Sequence, residues 1–596
     1  MKQLINENWN LENLYPGGKN SEKLISLINS LPQQINNLNE QIDGLNLADH
    51  SISTSNLLHI IDELQYLTNA ILEIDDYLIC LASDKSDDIE AANLLAHSSK
   101  LKSQFETVQR AFDQLLKALS QKTWATLIEH EQVQPYQFYL KERRQRSTDK
   151  LSLSHEKIIN SLAVDGFTGW EHHYDQLMSN FKVKVDDKVV SINDALFQAG
   201  FSSDHYHRRQ AAHGLEEACY KHENTFVSIL NHIAGFRLET YKQRGWTNLL
   251  KESLDQNRIQ QATLNALLKA RNENKSLIES FLKRKTELAG IKQVGWYDLL
   301  APSFSSKEHI SYKEARRIII EQFYEFSKKL GMFAERAFNE GWIEVEDREN
   351  KSYGAFCASL PLSKESRIFL TFKGNYQDVV TLAHELGHAY HNYILHEEPA
   401  FAQQKGTSLA ETASTFMENL VLDATIKQAP TDKEKLALLE LKITNGLKYI
   451  GLIPSMFEFE QKFYEKRKHG LVTAEEINGL MEDTENALYG NVVDQVDKHR
   501  WMTIPHFYST ETPFYNIPYT IGFLLSNRIY AAAQLHGKDF VSTYDKLLRH
   551  SGKMTVEQLA ESFLDEDLRH KGFWQSSIEP ITEAINEYIS ITNKLL

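Results

Sequence analysis

Glycine and proline are scarce in this chain, at 26 and 12 among 596 residues. A chain poor in both makes few tight turns, so long helices are expected rather than a many-stranded sandwich or barrel. Cysteine is scarcer still: Cys80, Cys219 and Cys357 are the only three. Three thiols cannot build a disulfide framework, and their sparseness fits a reducing compartment. Positive charge is in deficit, with 65 Lys and Arg against 81 Asp and Glu and a formal net charge of −16. That balance argues against a broad basic face of the kind that binds nucleic acid. No run approaches the roughly 18 consecutive apolar residues of a membrane span. The start, MKQLINENWNLENLYPGG, lacks the apolar core and small-residue cleavage site of a secretory signal. A cytoplasmic protein with neither a nucleic-acid nor a membrane partner is therefore expected.

What the sequence does contain is helical periodicity. Leu101, Phe105, Val108, Phe112, Leu115 and Leu119 alternate steps of four and three, which marks one face of a long helix. Leu57, Ile61, Leu64, Ile71 and Leu78 repeat the period over 55–80, and Ile581, Ile585, Tyr588 and Ile589 repeat it near the C-terminus. These stripes read as helix–helix core. Strand signals are few. KVKVDDKVVSI, residues 182–192, places valines around an Asp186-Asp187 turn and reads as a hairpin. In GAFCASLPLSKESRIFLTFK, residues 354–373, two short runs flank a polar turn and read as two strands of a small sheet. The expected organisation is an N-terminal helical domain over 1–200, with the hairpin near its end, and a second domain over 201–596.

The chemistry concentrates in DVVTLAHELGHAYHNYI, residues 378–394, which contains H-E-x-x-H. Residues four apart on a helix differ by about 40° around the axis and about 6 Å along it. His384 and His388 therefore project from one face and can share one metal ion. Glu385 stands about 60° around from His388, able to reach a metal-bound water without binding the metal. Val379, Val380, Leu382 and Ala383 precede the motif, so the helix is expected to be largely buried. Two buried imidazoles need partners, and one metal would satisfy both. Gly387 inside the helix costs about 1 kcal/mol relative to alanine, which implies that something approaches closely there.

A hydrolytic zinc site needs a third protein ligand and one open position. The metzincin pattern would place Gly at 391 and His at 394; here those positions are His391 and Ile394. His391 shares the histidine face but lies about 10.5 Å from His384 along a helix, too far for one ion, and reads as packing or support. The following segment SLAETASTFMENLV, residues 408–421, offers Glu411 and Glu418, seven apart on one face. Ser408 with Glu411 also matches a capping box. Spacing leans towards Glu411 and leaves both open.

TLAHELGHAYH followed by AETASTFMENL resembles the thimet oligopeptidase superfamily, and within it the oligoendopeptidase F family. WYDLLAP at 296–302, GAFC at 354–357 and EKIINSLAVDGFTGWEHHYDQLMS at 156–179 resemble it too, so the likeness runs from about residue 150 onward. The resemblance implies one zinc ion held by His384, His388 and Glu411, with Glu385 as the catalytic carboxylate and Glu418 supporting a histidine. It implies a mainly α, two-lobed helical zincin of the gluzincin type. It implies a small sheet beside the active-site helix and a deep channel that admits short unstructured peptides.

The same family has a His and Tyr segment that contacts the substrate carbonyl. Here it matches PHFYSTETPFYNIPYTIGF, residues 505–523, and implicates His506, Tyr515 and Tyr519, with Tyr508 a nearby competitor. The thimet branch has a further tyrosine where this chain has Gly522, and the His-to-Tyr spacing is longer here. Cys357 could be read as a nucleophile, but a free cysteine is ordinarily packing, and its strand is better suited to pair with a peptide backbone. The expected activity is zinc-dependent endopeptidase action on short oligopeptides, with Glu385 as general base and acid. A zinc carboxypeptidase or dipeptidase, or an inactive helical peptide-binding protein, are the alternatives.

Overall fold

The computed structural model describes residues 6–45, 52–292, 294–304 and 309–595; the first five residues of the N-terminal segment read above lie outside these. In chain order the main elements are helices α1 (Glu22–Asp43), α2 (Thr54–Asp84) and α3 (Ile89–Ala118), strands β1 (Lys182–Val185) and β2 (Lys188–Ser191), and helix α4 (His205–Gln243). Strands β3 (Ile343–Glu344), β4 (Phe356–Leu360) and β5 (Glu365–Phe369) follow. Helices α5 (Tyr376–Leu395), α6 (Thr412–Gln428), α7 (Ile517–His536), α8 (Phe540–His550) and α9 (Lys571–Thr592) complete the set. The mainly helical class expected from the sequence is what the structure shows.

The chain forms two compact units, one of Met1–Lys150, Glu308–Ala424 and Ile529–Asp565, the other of Leu151–Lys307, Thr425–Arg528 and Glu566–Leu596. These units interleave along the sequence, whereas the hairpin and the helical pattern after it suggested one division near 200. Two of the crossings, after Ala424 and after Arg528, fall inside α6 and α7, where no Pro- or Gly-rich linker marks them.

In the first unit, α1, α2 and α3 pack around one apolar cluster. It takes in the stripes read from the sequence: Leu57, Ile61, Leu64, Ile71 and Leu78 from α2, and Leu101, Phe105, Val108, Phe112 and Leu115 from α3. Full burial of each such side chain stabilises the fold by roughly 1.5–3 kcal/mol. Their helix starts are fixed locally. The Asn56 N–H donates to Ser53 Oγ at 3.2 Å, and the Glu90 and Ala91 N–H groups donate to Asp88. The same cluster captures Phe401, whose ring stacks on Tyr139 with centroids 4.3 Å apart and meets Tyr136 edge-on at 6.0 Å.

A three-stranded sheet of order β3-β5-β4 completes this unit's functional side, with β4 antiparallel and β3 parallel to β5. The β4–β5 pair is the one expected from the sequence. The two-residue β3 was not, because it is too short to show alternation. Helix α5 packs against β4 and β5, and α2 packs against β4.

In the second unit, β1 and β2 form the expected antiparallel hairpin. Asp186 takes the turn with φ 53°, a left-handed conformation that aspartate tolerates better than branched residues. Ile581, Ile585 and Tyr588 of α9 are buried, as the C-terminal stripe implied, while Ile589 lies at the rim. No helix among the described residues is long and apolar enough to cross a membrane.

Candidate functional site

Helix α5 begins at a reciprocal cap. The Asp378 N–H donates to Asn375 Oδ1 at 3.0 Å and the Asn375 N–H donates to Asp378 Oδ2 at 3.2 Å. This fixes where the first turn starts and so which face each later residue takes. Val379, Val380, Leu382, Ala383 and Leu386 are buried. His384 and His388, one turn apart, are about one-fifth exposed, at 21% and 20%.

Gly387 allows α6 to come close to α5. A Cβ at this position would lie 2.6 Å from both the Ala413 carbonyl oxygen and the Ser414 Cα. The close approach inferred from a glycine in mid-helix is therefore that of a second helix backbone. It brings Glu411, the residue just before α6, over the histidine stripe. Ser414 Oγ donates to the Glu411 side chain at 2.9 Å and steadies it.

Glu411 Oε2 is 3.3 Å from His384 Nε2 and 3.4 Å from His388 Nε2, and the two Nε2 atoms are 3.1 Å apart. A tetrahedral ion with bonds of about 2.05 Å has ligand atoms about 3.4 Å apart along each edge. The observed triangle matches one face of that tetrahedron, and two imidazoles with one carboxylate are the donors such an ion takes. His384, His388 and Glu411 are the group among the described residues that could hold a metal. Glu418, the other carboxylate open from spacing, lies instead on the far side of His384, with Oε1 2.5 Å from Nδ1. A carboxylate on Nδ1 turns Nε2 towards the shared point.

The electrostatics follow this arrangement. Burial disfavours a charged His384, but Glu411 and Glu418 outweigh it and raise its pKa well above the ordinary histidine value. Burial also dominates at His388, whose pKa is lowered although Glu411 opposes the shift. Burial acts against the charge of Glu411 too, and the two histidines overcome it, holding the carboxyl below its usual range. Glu385 is not one of the triangle's members but lines the same cavity, and it is 5% exposed. Burial pushes its pKa up to about 7; His384 lowers it, and Glu411 and Glu418 add to the rise.

His391 is fully buried, with Nε2 2.8 Å from Ser551 Oγ, so it serves as packing that ties the helix to Ser551 and is not in the ligand triangle. Cys357 lies on β4. Burial first, and then Glu385, raises its pKa well above the ordinary thiol value, the opposite of what a nucleophilic thiolate needs.

A cavity of about 550 Å³ within the first unit opens onto the triangle. Its walls include Cys357 and Ser359 of β4, Asn392 and His396 at the end of the α5 segment, and Gln403, Gln404 and Lys405 from the loop before Glu411. The Ser359 N–H donates to Asp76 Oδ2 of α2 at 2.6 Å, so this edge of β4 points away from β5. Cys357, two residues earlier, presents its backbone groups to the same side. Lys405 makes no hydrogen bond or ion pair among the described residues. Sequence reasoning missed it because one lysine in a loop carries no periodic signal.

In the second unit, His506, Tyr515 and Tyr519 form a ring cluster, with centroids 5.0, 5.7 and 5.7 Å apart. Burial, with Lys448 second, lowers the His506 pKa. Tyr508 is separated from this group. It is fully buried and stacks on Tyr174 at 3.8 Å, which leaves it a core residue.

Two family models match the chain. Residues 116–182 match the family model described as Oligopeptidase F, and residues 201–578 match that of Peptidase family M3. The chain is 24% identical over 387 residues to an oligoendopeptidase F homolog of Lactococcus lactis subsp. lactis, covering 64% of this chain and 63% of that protein. It is 26% identical over 339 residues to the group B oligopeptidase PepB of Streptococcus agalactiae, covering 55% and 54%. Among solved structures, a protein from Chlamydophila abortus superposes with a TM-score of 0.83 at 20% identity, covering 98% of each chain. Oligoendopeptidase-F from Enterococcus faecium superposes with a TM-score of 0.67 at 17% identity, covering 94% of this chain and 99% of that one. At such identities the solved structures speak to the fold. The second of these family matches, which runs from α4 into α9, makes the chain a member of peptidase family M3.

Proposed function

We propose that this chain is a zinc-dependent endopeptidase that cuts short unstructured peptides. The observation that carries the reading is the ligand triangle, whose three edges match a tetrahedral ion, beside a buried carboxylate and a cavity bordered by a strand edge. His384, His388 and Glu411 hold the ion. When bound, zinc supplies Lewis-acid polarisation of the scissile carbonyl and acidifies water.

The chain's own residues do the rest. Glu385, with its pKa near 7, accepts the proton of an attacking water and returns it to the leaving amine. Glu418 fixes the ring of His384 through Nδ1. The outward edge of β4 at Cys357 receives the substrate backbone as an added strand, which selects extended peptides over folded ones. By resemblance, His506, Tyr515 and Tyr519 donate to the substrate carbonyl as charge develops on it, and their mutual clustering supports a joint role. The free thiols of Cys80, Cys219 and Cys357 fit a reducing, cytoplasmic setting.

Internally quenched peptides blocked at both ends test this reading. Cleavage should stop with a chelator, return with zinc, and map to internal bonds. Cleavage confined to peptides with a free terminus would favour a carboxypeptidase or dipeptidase. No cleavage of any peptide by the zinc-loaded protein would leave only a binding role.

A further inference from the structure

The loop that precedes Glu411 is anchored from behind. Phe401 is buried in the α1–α3 core against Tyr139 and Tyr136. Gln403 Nε2 donates to the Glu398 carbonyl at 2.8 Å. From this fixed base Lys405 reaches the cavity that opens onto the metal ligands.

The cation has no counterion in place. Among the described residues no carboxylate lies within 4.0 Å of Nζ and no acceptor within hydrogen-bond distance. The wall that holds it also carries the neutral amides of Gln403, Gln404 and Asn392. Glu411 is engaged by His384, His388 and Ser414. An ammonium group facing a partly enclosed cavity without a partner costs free energy, which an incoming anion would recover. Burial lowers its pKa, while the field of Glu411 opposes that shift, so Lys405 and the ligand share one electrostatic neighbourhood.

We propose that Lys405 is a specificity residue that recognises a carboxylate of the bound peptide, within a few residues of the scissile bond. The carboxylate is either an Asp or Glu side chain or the peptide's own C-terminus. This rests on the peptidase reading above. A lysine suits the task as a flexible point charge that does not demand bidentate geometry. The cavity wall holding Lys405 also holds Cys357 of the β4 edge and His388, which confines the recognised carboxylate to the residues beside the cut.

The test uses the zinc-loaded full chain and quenched peptides that differ at one place. One arm exchanges Glu for Gln at each of three positions on either side of the cut. The other exchanges a free C-terminus for its amide. The measured quantity is the acid-to-neutral ratio of kcat/KM. Wild type should prefer the acid by about tenfold or more at one register, and the arm showing it identifies the source. Lys405→Met should bring that ratio to near one, Lys405→Arg should keep it above one, and Lys405→Glu should invert it. A wild-type ratio near one at every register would overturn the proposal. So would a ratio that survives in Lys405→Met while all rates fall together, which is the signature of a structural role. Anisotropy with labelled acid and neutral peptides on Glu385→Gln gives the same ratio as Kd values. If wild type cleaves nothing, the peptidase reading fails, and the Kd ratio still decides the role of Lys405.

Discussion

Gly387 lies against Ser414 so tightly that a Cβ on the glycine would sit 2.6 Å from the serine Cα. The atoms in the way are backbone, so no rotamer change can make room. Gly387→Ala would gain about 1 kcal/mol in helix propensity. It would lose about 1–3 kcal/mol to overpacking, and the loss should win because α6 has to move. Moving α6 carries Glu411 off the histidine stripe. The expected outcome is a lower thermal midpoint together with zinc affinity reduced about tenfold or more, read by competition with a chromophoric chelator. A variant with native affinity would show that this helix contact does not set the ligand triangle.

Glu385→Gln keeps the size and burial of the side chain and removes its basicity. Turnover should fall by about 10³-fold, within the usual range for a general base. Zinc stoichiometry by elemental analysis should stay at the wild-type level, because Glu385 lies outside the His384–His388–Glu411 group. Near-native turnover would remove it from the mechanism.

The two glutamates around His384 should separate cleanly. Glu411→Ala removes a ligand atom, and the protein should lose bound zinc on dialysis. Glu418→Ala leaves all three ligand atoms and frees only Nδ1 of His384, so zinc should stay bound with affinity weakened about 10- to 100-fold. Equal effects from both variants would contradict the assignment of Glu411 as ligand and Glu418 as support.

Asp76 offers a pH-dependent signature away from the metal. Burial raises its pKa from 3.8 to about 7, against the opposing hydrogen bond from the Ser359 N–H. Between those values the folded protein holds a proton that the unfolded chain has released. The group's contribution is therefore complete below about pH 4 and lost as pH rises through 7, at up to about 1.4 kcal/mol per pH unit. Asp76→Asn should flatten that dependence and be the more stable form at pH 8, while its Oδ1 still accepts from Ser359. Thermal midpoints of both proteins at pH 5 and pH 8 check the difference. Parallel shifts would mean that Asp76 does not titrate in this window.

Much of this was legible in the sequence because it is periodic or local. The α2 and α3 stripes are long enough to define a face, and all their named residues are buried. The positions of His384, Glu385 and His388 follow from helical geometry alone. Glu411 was harder. Ser408 and Glu411 spell a capping box, and only the approach of α6 at Gly387 shows why the carboxylate is diverted to the histidines. The division into units was illegible because two of its crossings run through continuous helices. Tyr508 looked like a partner of His506 in sequence, yet its side chain stacks beneath Tyr174, a contact that depends on a residue more than 300 positions away.

Helix α5 is finished by residues that follow it far along the sequence. His391 meets Ser551, 160 positions later, and Tyr390 donates to Asp545, 155 positions later. During synthesis those partners emerge from the ribosome 155 and 160 residues after the side chains they meet. The HExxH motif is translated early by comparison, but its helix lacks the inner supports of its final fold while the nascent chain is still growing. On the peptidase reading proposed above, the motif helix would thereby stay incomplete during the interval when its own unstructured chain lies within reach.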